Sequence, residues 1–344
     1  MKQIKNPQLS NLLKKSSVAV MAGVIALSAS VAQAEIEPAV VYDAAGKFDK
    51  SFNEAVYVNG VQRFTADTGI TVTEAEPTNA AQMEQSLKKL AKRGNSPIVA
   101  VGFSMASAVS AAALAYPDAK FTLIDMVVPE PNVQNVVFKE HEGSFLVGVL
   151  AAMKSESGVV GFVGGMDIPL IRRFACGYEQ GVKYQNSSVK VLQNMTGSTY
   201  HAWNNPTKGG ELTRSQIESG ADVIYAAAGG TGLGVYQVAA DLGKYAIGVD
   251  SNQNYIQPGT MLTSMVKRVG VAAYDSWEAA RNGTWEAGFV SLGLAEGGVD
   301  WALDEHNRSL VSAKMEARVN AIKAAIIAGD IVVHDYMSDD TCTY

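Results

Sequence analysis

The chain is short of the residues that hold metals or attack substrates. Among its 344 residues there are only two cysteines and four histidines. The histidines, at 141, 201, 306 and 334, show no HExxH or comparable ligand spacing, so no metal centre is expected. Cys176 and Cys342 are too widely separated for a CxxC redox pair, and no histidine neighbours Cys176 in the chain to activate it. There is no GxSxG elbow and no GxxxxGK[ST] loop. These absences leave most hydrolytic, redox and triphosphate chemistry without side chains to carry it, and a non-enzymatic, cofactor-free protein is expected. Long apolar runs are also missing. After the first 34 residues nothing reaches the ~18 uninterrupted apolar positions that suggest a membrane helix.

The first 34 residues themselves lack any acid. Lys2, Lys5, Lys14 and Lys15 precede an apolar stretch from about Val18 to Val31, and Ala32-Gln33-Ala34 supplies a small-x-small cleavage site. A signal peptide cut after Ala34 is expected, and with it an exported, periplasmic protein. No cysteine lies at that site, so a lipid-modified N-terminus is not expected. Without the four lysines, 24 basic residues face 34 acidic ones, and the net charge moves from −6 to −10. A surface that acidic argues against nucleic acid or anionic membrane as partner. In an oxidising compartment Cys176 and Cys342 either pair, tying the C-terminal tail to the second half, or remain free thiols; spacing alone leaves both open.

What the chain does contain is alternation. Short apolar runs predict strands at Ala39–Tyr42, Ile70–Glu74, Ile98–Gly102, Phe121–Ile124, Val133–Phe138, Val159–Val163, Val189–Met195, Val223–Ala226, Ala246–Val249 and Met261–Met265. Helical patterns lie between them, among them Phe52–Thr68, Ala80–Arg93, Glu142–Lys154, Ile171–Gln185 and Val266–Asn282. Such alternation implies α/β architecture with parallel sheets and right-handed crossovers. The run 158–165 repeats the strand–turn–helix arrangement of 41–52, so two doubly wound lobes joined by a hinge are expected rather than one wide sheet. The boundaries expected are 35–139 with about 266–290 for the first lobe, and 140–265 with about 291–344 for the second.

Open α/β sheets bind ligands beyond the carboxyl ends of their strands. Residues expected there in the first half are Asp43, Phe52, Asn53, Phe103, Ser104 and Asp125. In the second half they are Asp167, Phe174, Trp203, Gly229, Gly230, Asp250 and Lys267, the last opening a helix. Carboxylates, an amide and ring faces can together clamp a flat, hydrogen-bonding molecule. Asp43 or Asp125 could instead cap the following helix. The run GGTGLG at 229–234 suggests a phosphate cradle, but its glycines do not fall as GxGxxG, and we read them as a close backbone approach to a ligand at a helix start.

Several segments resemble the basic membrane protein family, the nucleoside-binding receptors of ABC importers. They are Asp43 with Lys50-Ser51-Phe52-Asn53, Glu142–Ala152, Gly161–Tyr178, Ala221–Gly234, Ile247–Asp250 and Thr263–Arg268. The resemblance implies a type I periplasmic-binding-protein fold, a purine nucleoside enclosed between the lobes, and an inner-membrane ABC permease as partner, with the receptor a monomer. It implies that Asp43, Asn53 and Asp125 meet the base edge and that Phe52 stacks on one face. Either Phe174 or Trp203 would supply the opposite ring. Asp250, Lys267 and the Gly229-Gly230 backbone would hold the ribose. Many members carry a lipidated cysteine that this chain lacks. Rival ligands are a free nucleobase, riboflavin or a pentose. From a different class, Asp43 and Asp125 could serve a periplasmic nucleoside hydrolase. A ligand sensor docking on a signalling partner also remains open.

Overall fold

The computed structural model describes residues 35–342; the expected signal segment lies outside them. The strands, in chain order, begin with β1 (Ala39–Val41), β2 (Thr73–Ala75), β3 (Ile98–Ala100), β4 (Phe121–Ile124) and β5 (Val133–Phe138). They continue with β6 (Val159–Met166), β7 (Lys190–Gly197), β8 (Val223–Ala227), β9 (Tyr245–Asp250) and β10 (Met261–Lys267). The last two are β11 (Gly288–Leu292) and β12 (Val299–Trp301). They form two six-stranded sheets, ordered β2-β1-β3-β4-β5-β11 and β7-β6-β8-β9-β10-β12. The shared order means that one winding pattern is used twice. Every pairing in the first sheet is parallel; in the second, β12 runs antiparallel to β10.

Inner strands such as β1, β3, β4 and β8 are buried along their whole length, because helices cover both faces of each sheet. Over the first sheet lie α1 (Phe52–Val56), continued through a π-helical stretch into α2 (Arg63–Thr68), then α3 (Ala80–Lys92) and α4 (Ala106–Ala115). The second sheet carries α5 (Glu140–Lys154), α6 (Pro169–Gln185), α7 (Pro206–Glu218) and α8 (Gly232–Asp241). Helix α9 (Val269–Arg281) packs back on α1 and the π-helical stretch, and α10 (Ala313–Ala328) packs on α5. The chain therefore passes between the lobes three times: from β5 to α5, from β10 to α9, and from β11 to β12. Side chains of both lobes belong to one continuous core, which includes Tyr42, Tyr178, Tyr225 and Trp277.

Two sequence expectations need correction. The edge strands β11 and β12 escape an apolar-run reading because β11, GFVSL, is half exposed and β12, VDW, spans three residues. Lys267 does not open a helix: β10 runs through it, and α9 starts only at Val269. A disulfide joins Cys176 on α6 to Cys342, with Cα atoms 5.5 Å apart, so the C-terminal tail is pinned to the second lobe.

Candidate functional site

The carboxyl ends of both sheets face a shared cavity of about 560 Å³, part of it open to solvent. Strand ends fix its acidic side chains. Asp125 and Asp250, at the ends of β4 and β9, both adopt left-handed backbone, with φ of 71° and 63°. A non-glycine residue in that region is strained, and such strain is found where a side chain must be aimed. Asp43 follows β1; one carboxylate oxygen accepts the Ala45 N–H (2.9 Å) and the Asn53 amide (2.8 Å). Gly102, at φ 100°, lets β3 end close against it, since a Cβ there would stand 3.2 Å from the second Asp43 oxygen.

Lys267 is the cation of the cavity. Its ammonium sits 2.6 Å from Asp125 Oδ2 and 2.8 Å from Glu140 Oε1, and it is almost fully buried. The rings of Phe52, Phe138 and Phe174 surround it, with centroids 5.3, 5.0 and 5.6 Å away. Burial pushes Asp125 up to about 6, opposed by the Lys267 charge. Burial likewise raises Asp250, against Lys267 and the Ser51 hydroxyl. Lys267 is raised as well, for the opposite reason: burial lowers it, but Asp125 and Glu140 outweigh that and hold it well above the ordinary lysine value. Asp125 Oδ1 is buried and has no hydrogen-bond partner. An orphaned carboxylate oxygen on a cavity wall is a vacant acceptor for a ligand N–H or O–H.

Four rings anticipated from the sequence, Phe52, Phe103, Phe174 and Trp203, line this cavity. Trp203 packs its indole against Gly165, whose backbone it approaches so closely that a Cβ there would collide with the ring. Across the gap Trp203 meets Phe103 of the other lobe at 6.3 Å between centroids. Of the remaining anticipated residues, Asp43, Asp125, Gly229, Asp250 and Lys267 also line it, while Asn53, Ser104 and Gly230 stand behind the wall. Asn53 is buried, bonded to Asp43 and to the Gly46 carbonyl (3.0 Å), so it orients a wall residue. Ser104 is next to the lining residue Phe103, with its hydroxyl buried and unpartnered. Gly230 packs beside the Trp203 carbonyl. Asp167 points away and pairs with Arg172 on the surface.

Asp49 on the wall and Glu140 behind it are not among the residues expected from the sequence. Asp49, not Asp43, caps α1, accepting the N–H groups of Ser51 (2.9 Å), Asn53 (3.1 Å) and Glu54 (3.1 Å). Burial still pushes it up to about 7 against those donors, with Asp43 adding repulsion. An acid just ahead of a predicted helix start was the available signal. Glu140 lies in the hinge crossing, two residues past β5 at the start of α5, and no motif marks it. Burial alone would raise it, but Lys267 and Arg173 hold it below the usual carboxylate range. Taken together, the walls offer ring faces, carboxylate acceptors and one ammonium donor. They include no histidine, cysteine or serine to act as nucleophile or base partner.

The family model for PnrA-like ABC transporter substrate-binding proteins matches residues 36–335. The chain is 30% identical over 338 residues to the ABC transporter nucleoside-binding protein BmpA of Lactococcus lactis, covering 90% of this chain and 95% of that one. It is 32% identical over 294 residues to basic membrane protein A of Borreliella burgdorferi, covering 83% and 84%. A solved solute-binding protein of an ABC transporter system from Aeropyrum pernix superposes with a TM-score of 0.79 at 29% identity, over 89% of this chain and 96% of that one. The fold is thus that of the type I periplasmic binding proteins, and the chain belongs to the basic membrane protein family of PnrA-like ABC transporter substrate-binding proteins.

Proposed function

We propose that this protein is an exported receptor that captures a purine nucleoside between its lobes and delivers it to an inner-membrane permease. The lobes are residues 35–139 with about 266–290, and 140–265 with about 291–344, closing about the three crossings. The observation that carries the reading is the wall chemistry at one cavity: ring faces from both lobes, an orphaned Asp125 oxygen, and an aspartate and a lysine together at Asp250 and Lys267. Phe52 stacks on one face of the base and Phe174 or Trp203 on the other. Asp43, held by Asn53, and Asp125 read the base edge. Asp250 accepts from ribose hydroxyls while Lys267 donates to their oxygens. Stacking contributes roughly 1–3 kcal/mol per ring, and each bond to a charged group roughly 1.5–3 kcal/mol. Less the ordering of ligand and hinge, about micromolar affinity or better follows.

The direct test is mass spectrometry of small molecules released when the purified protein is denatured. Recovery of a purine nucleoside supports the reading; recovery of a riboflavin or a free pentose instead overturns it. Incubation with inosine separates the receptor from a hydrolase, since catalytic release of hypoxanthine sinks the receptor.

Two further outcomes follow from the wall. Asp250→Ala should weaken inosine binding by at least tenfold while leaving hypoxanthine, which has no ribose, within about twofold. Equal losses for both would take Asp250 off the sugar. The second outcome concerns pH. Asp125 accepts the N1–H of inosine more strongly when ionised, and burial pushes its carboxyl up to about 6. Inosine affinity should therefore be full above that pH and fall as pH drops through it. Adenosine, whose N1 is an acceptor, should not lose affinity over the same range. Parallel pH profiles for the two nucleosides would contradict the assignment.

A further inference from the structure

The lobes touch directly at several places, and one contact beside the cavity shares Val249 and Asp250 with the cavity wall. From the first lobe come Lys50 and Ser51, just ahead of α1; from the second come the end of β9 and the turn after it, residues 249–253. The Ser51 hydroxyl donates to Asp250 Oδ2 at 2.6 Å and lies 3.3 Å from the Val249 carbonyl. In return the Ser251 hydroxyl donates to the Ser51 carbonyl at 2.9 Å, and the Gln253 amide donates to the Lys50 carbonyl at 2.8 Å. Gln253 is rigidly held from behind, its oxygen accepting the Tyr236 hydroxyl (2.7 Å) and the Val249 N–H (2.8 Å).

Both sides of this contact are strained. Lys50 has φ 60° and Asp250 φ 63°, two of the four non-glycine residues with positive φ among those described. Ser51 and Gln253 are fully buried, so separating the lobes would uncover both. Neither they nor Ser251 line the cavity; Val249 and Asp250 belong to both sites, Val249 meeting Ser51 through its backbone carbonyl and Asp250 through its side chain. Its Oδ2 faces the first lobe, which leaves its other oxygen for the cavity.

We propose that Ser51 is a positioning residue: its hydroxyl ties the ligand-facing carboxylate of Asp250 to the opposite lobe, so that ligand capture and lobe closure act through one side chain. In the open state Asp250 loses the Ser51 donor and its carboxylate turns to water. In the closed state that donor fixes one oxygen and aims the other. A ligand hydroxyl on Asp250 therefore meets a preorganised acceptor only after closure, which gives the closed state its differential affinity. The capture half of this statement rests on the nucleoside reading above; the closure half rests on the contacts between lobes alone.

The test reads the two halves separately. Spin labels at Leu114→Cys and Leu242→Cys, exposed positions on opposite lobes, report the interlobe distance, and the native cysteines are already paired. Without added nucleoside, the parent protein should show a closed population. Ser51→Ala should lower the closed-to-open ratio about tenfold, and Ser51→Thr, which keeps the hydroxyl, should restore most of it. With inosine, Ser51→Ala should speed dissociation about tenfold and change association less than twofold. Adding Ser51→Ala to Asp250→Asn should cost less than a further twofold, since the acceptor is already weakened. An unchanged closed-to-open ratio in Ser51→Ala, a parent with no closed population, or fully additive effects would overturn the proposal. If the parent binds no nucleoside, the proposed function fails, and the distance measurement still decides whether Ser51 closes the lobes.

Discussion

Lys267→Met should lower the melting temperature by at least about 5 °C and abolish nucleoside binding. The ammonium is 2% exposed and stands between two carboxylates, Asp125 at 2.6 Å and Glu140 at 2.8 Å. Removing it leaves both carboxylates buried side by side, and breaking a buried pair in this way costs about 3–5 kcal/mol. At about 2 °C per kcal/mol for a chain of this size, the shift lies well outside measurement error. The damage extends further, because Glu140 also receives Arg173 at 3.0 Å, and Arg173 forks onto Asp335 at 2.7 and 2.8 Å. That chain of charges joins β4, β10, α5, α6 and the tail pinned by the disulfide. The deficit should also depend on pH. With no ammonium between them, the folded carboxyls hold a proton above their unfolded value of about 4. Stability relative to the parent is then best below that value and is lost as pH rises through the raised folded value. Thermal melts at pH 5 and pH 8 check this: the gap between variant and parent should be wider at pH 8. A variant melting within about 1 °C of the parent at both would remove Lys267 from the hinge.

Truncating the rings should separate binding from stability. Phe52 is partly exposed to the cavity, so Phe52→Ala should weaken nucleoside binding tenfold or more, a decade being about 1.4 kcal/mol. Its melting temperature without ligand should barely move. Phe174 is 3% exposed and belongs to the main core, so Phe174→Ala should weaken binding and also cost about 3–5 kcal/mol of stability. Titration and melting of both variants distinguish the two roles. Loss of stability without loss of affinity in Phe52→Ala would make that ring core and not platform.

Much of this was legible because parallel sheets write their inner strands as short, wholly apolar runs. β1, β3, β4 and β8 read that way, and the residues just past them, Asp43, Phe103, Asp125 and Gly229, reach the cavity. Legibility fails where burial stops being two-sided. The half-exposed edge strand β11 and the three-residue β12 carry no run, although a crossing between lobes near 290 is expected from the sequence. It also fails where position depends on distant partners. Nothing near Glu140 in the chain announces that Lys267 and Arg173 will meet it, and nothing local announces that the Asn53 amide turns onto Asp43. Local pattern carries strand ends; the second layer behind them is set by tertiary packing.

The central claim is that this cavity encloses an intact purine nucleoside, and titration calorimetry with inosine tests it most directly. We expect one site per chain with a dissociation constant of about micromolar or tighter, and much weaker heats with ribose or hypoxanthine alone. Inosine that gives no saturable heat, or binding that free ribose matches, would contradict it.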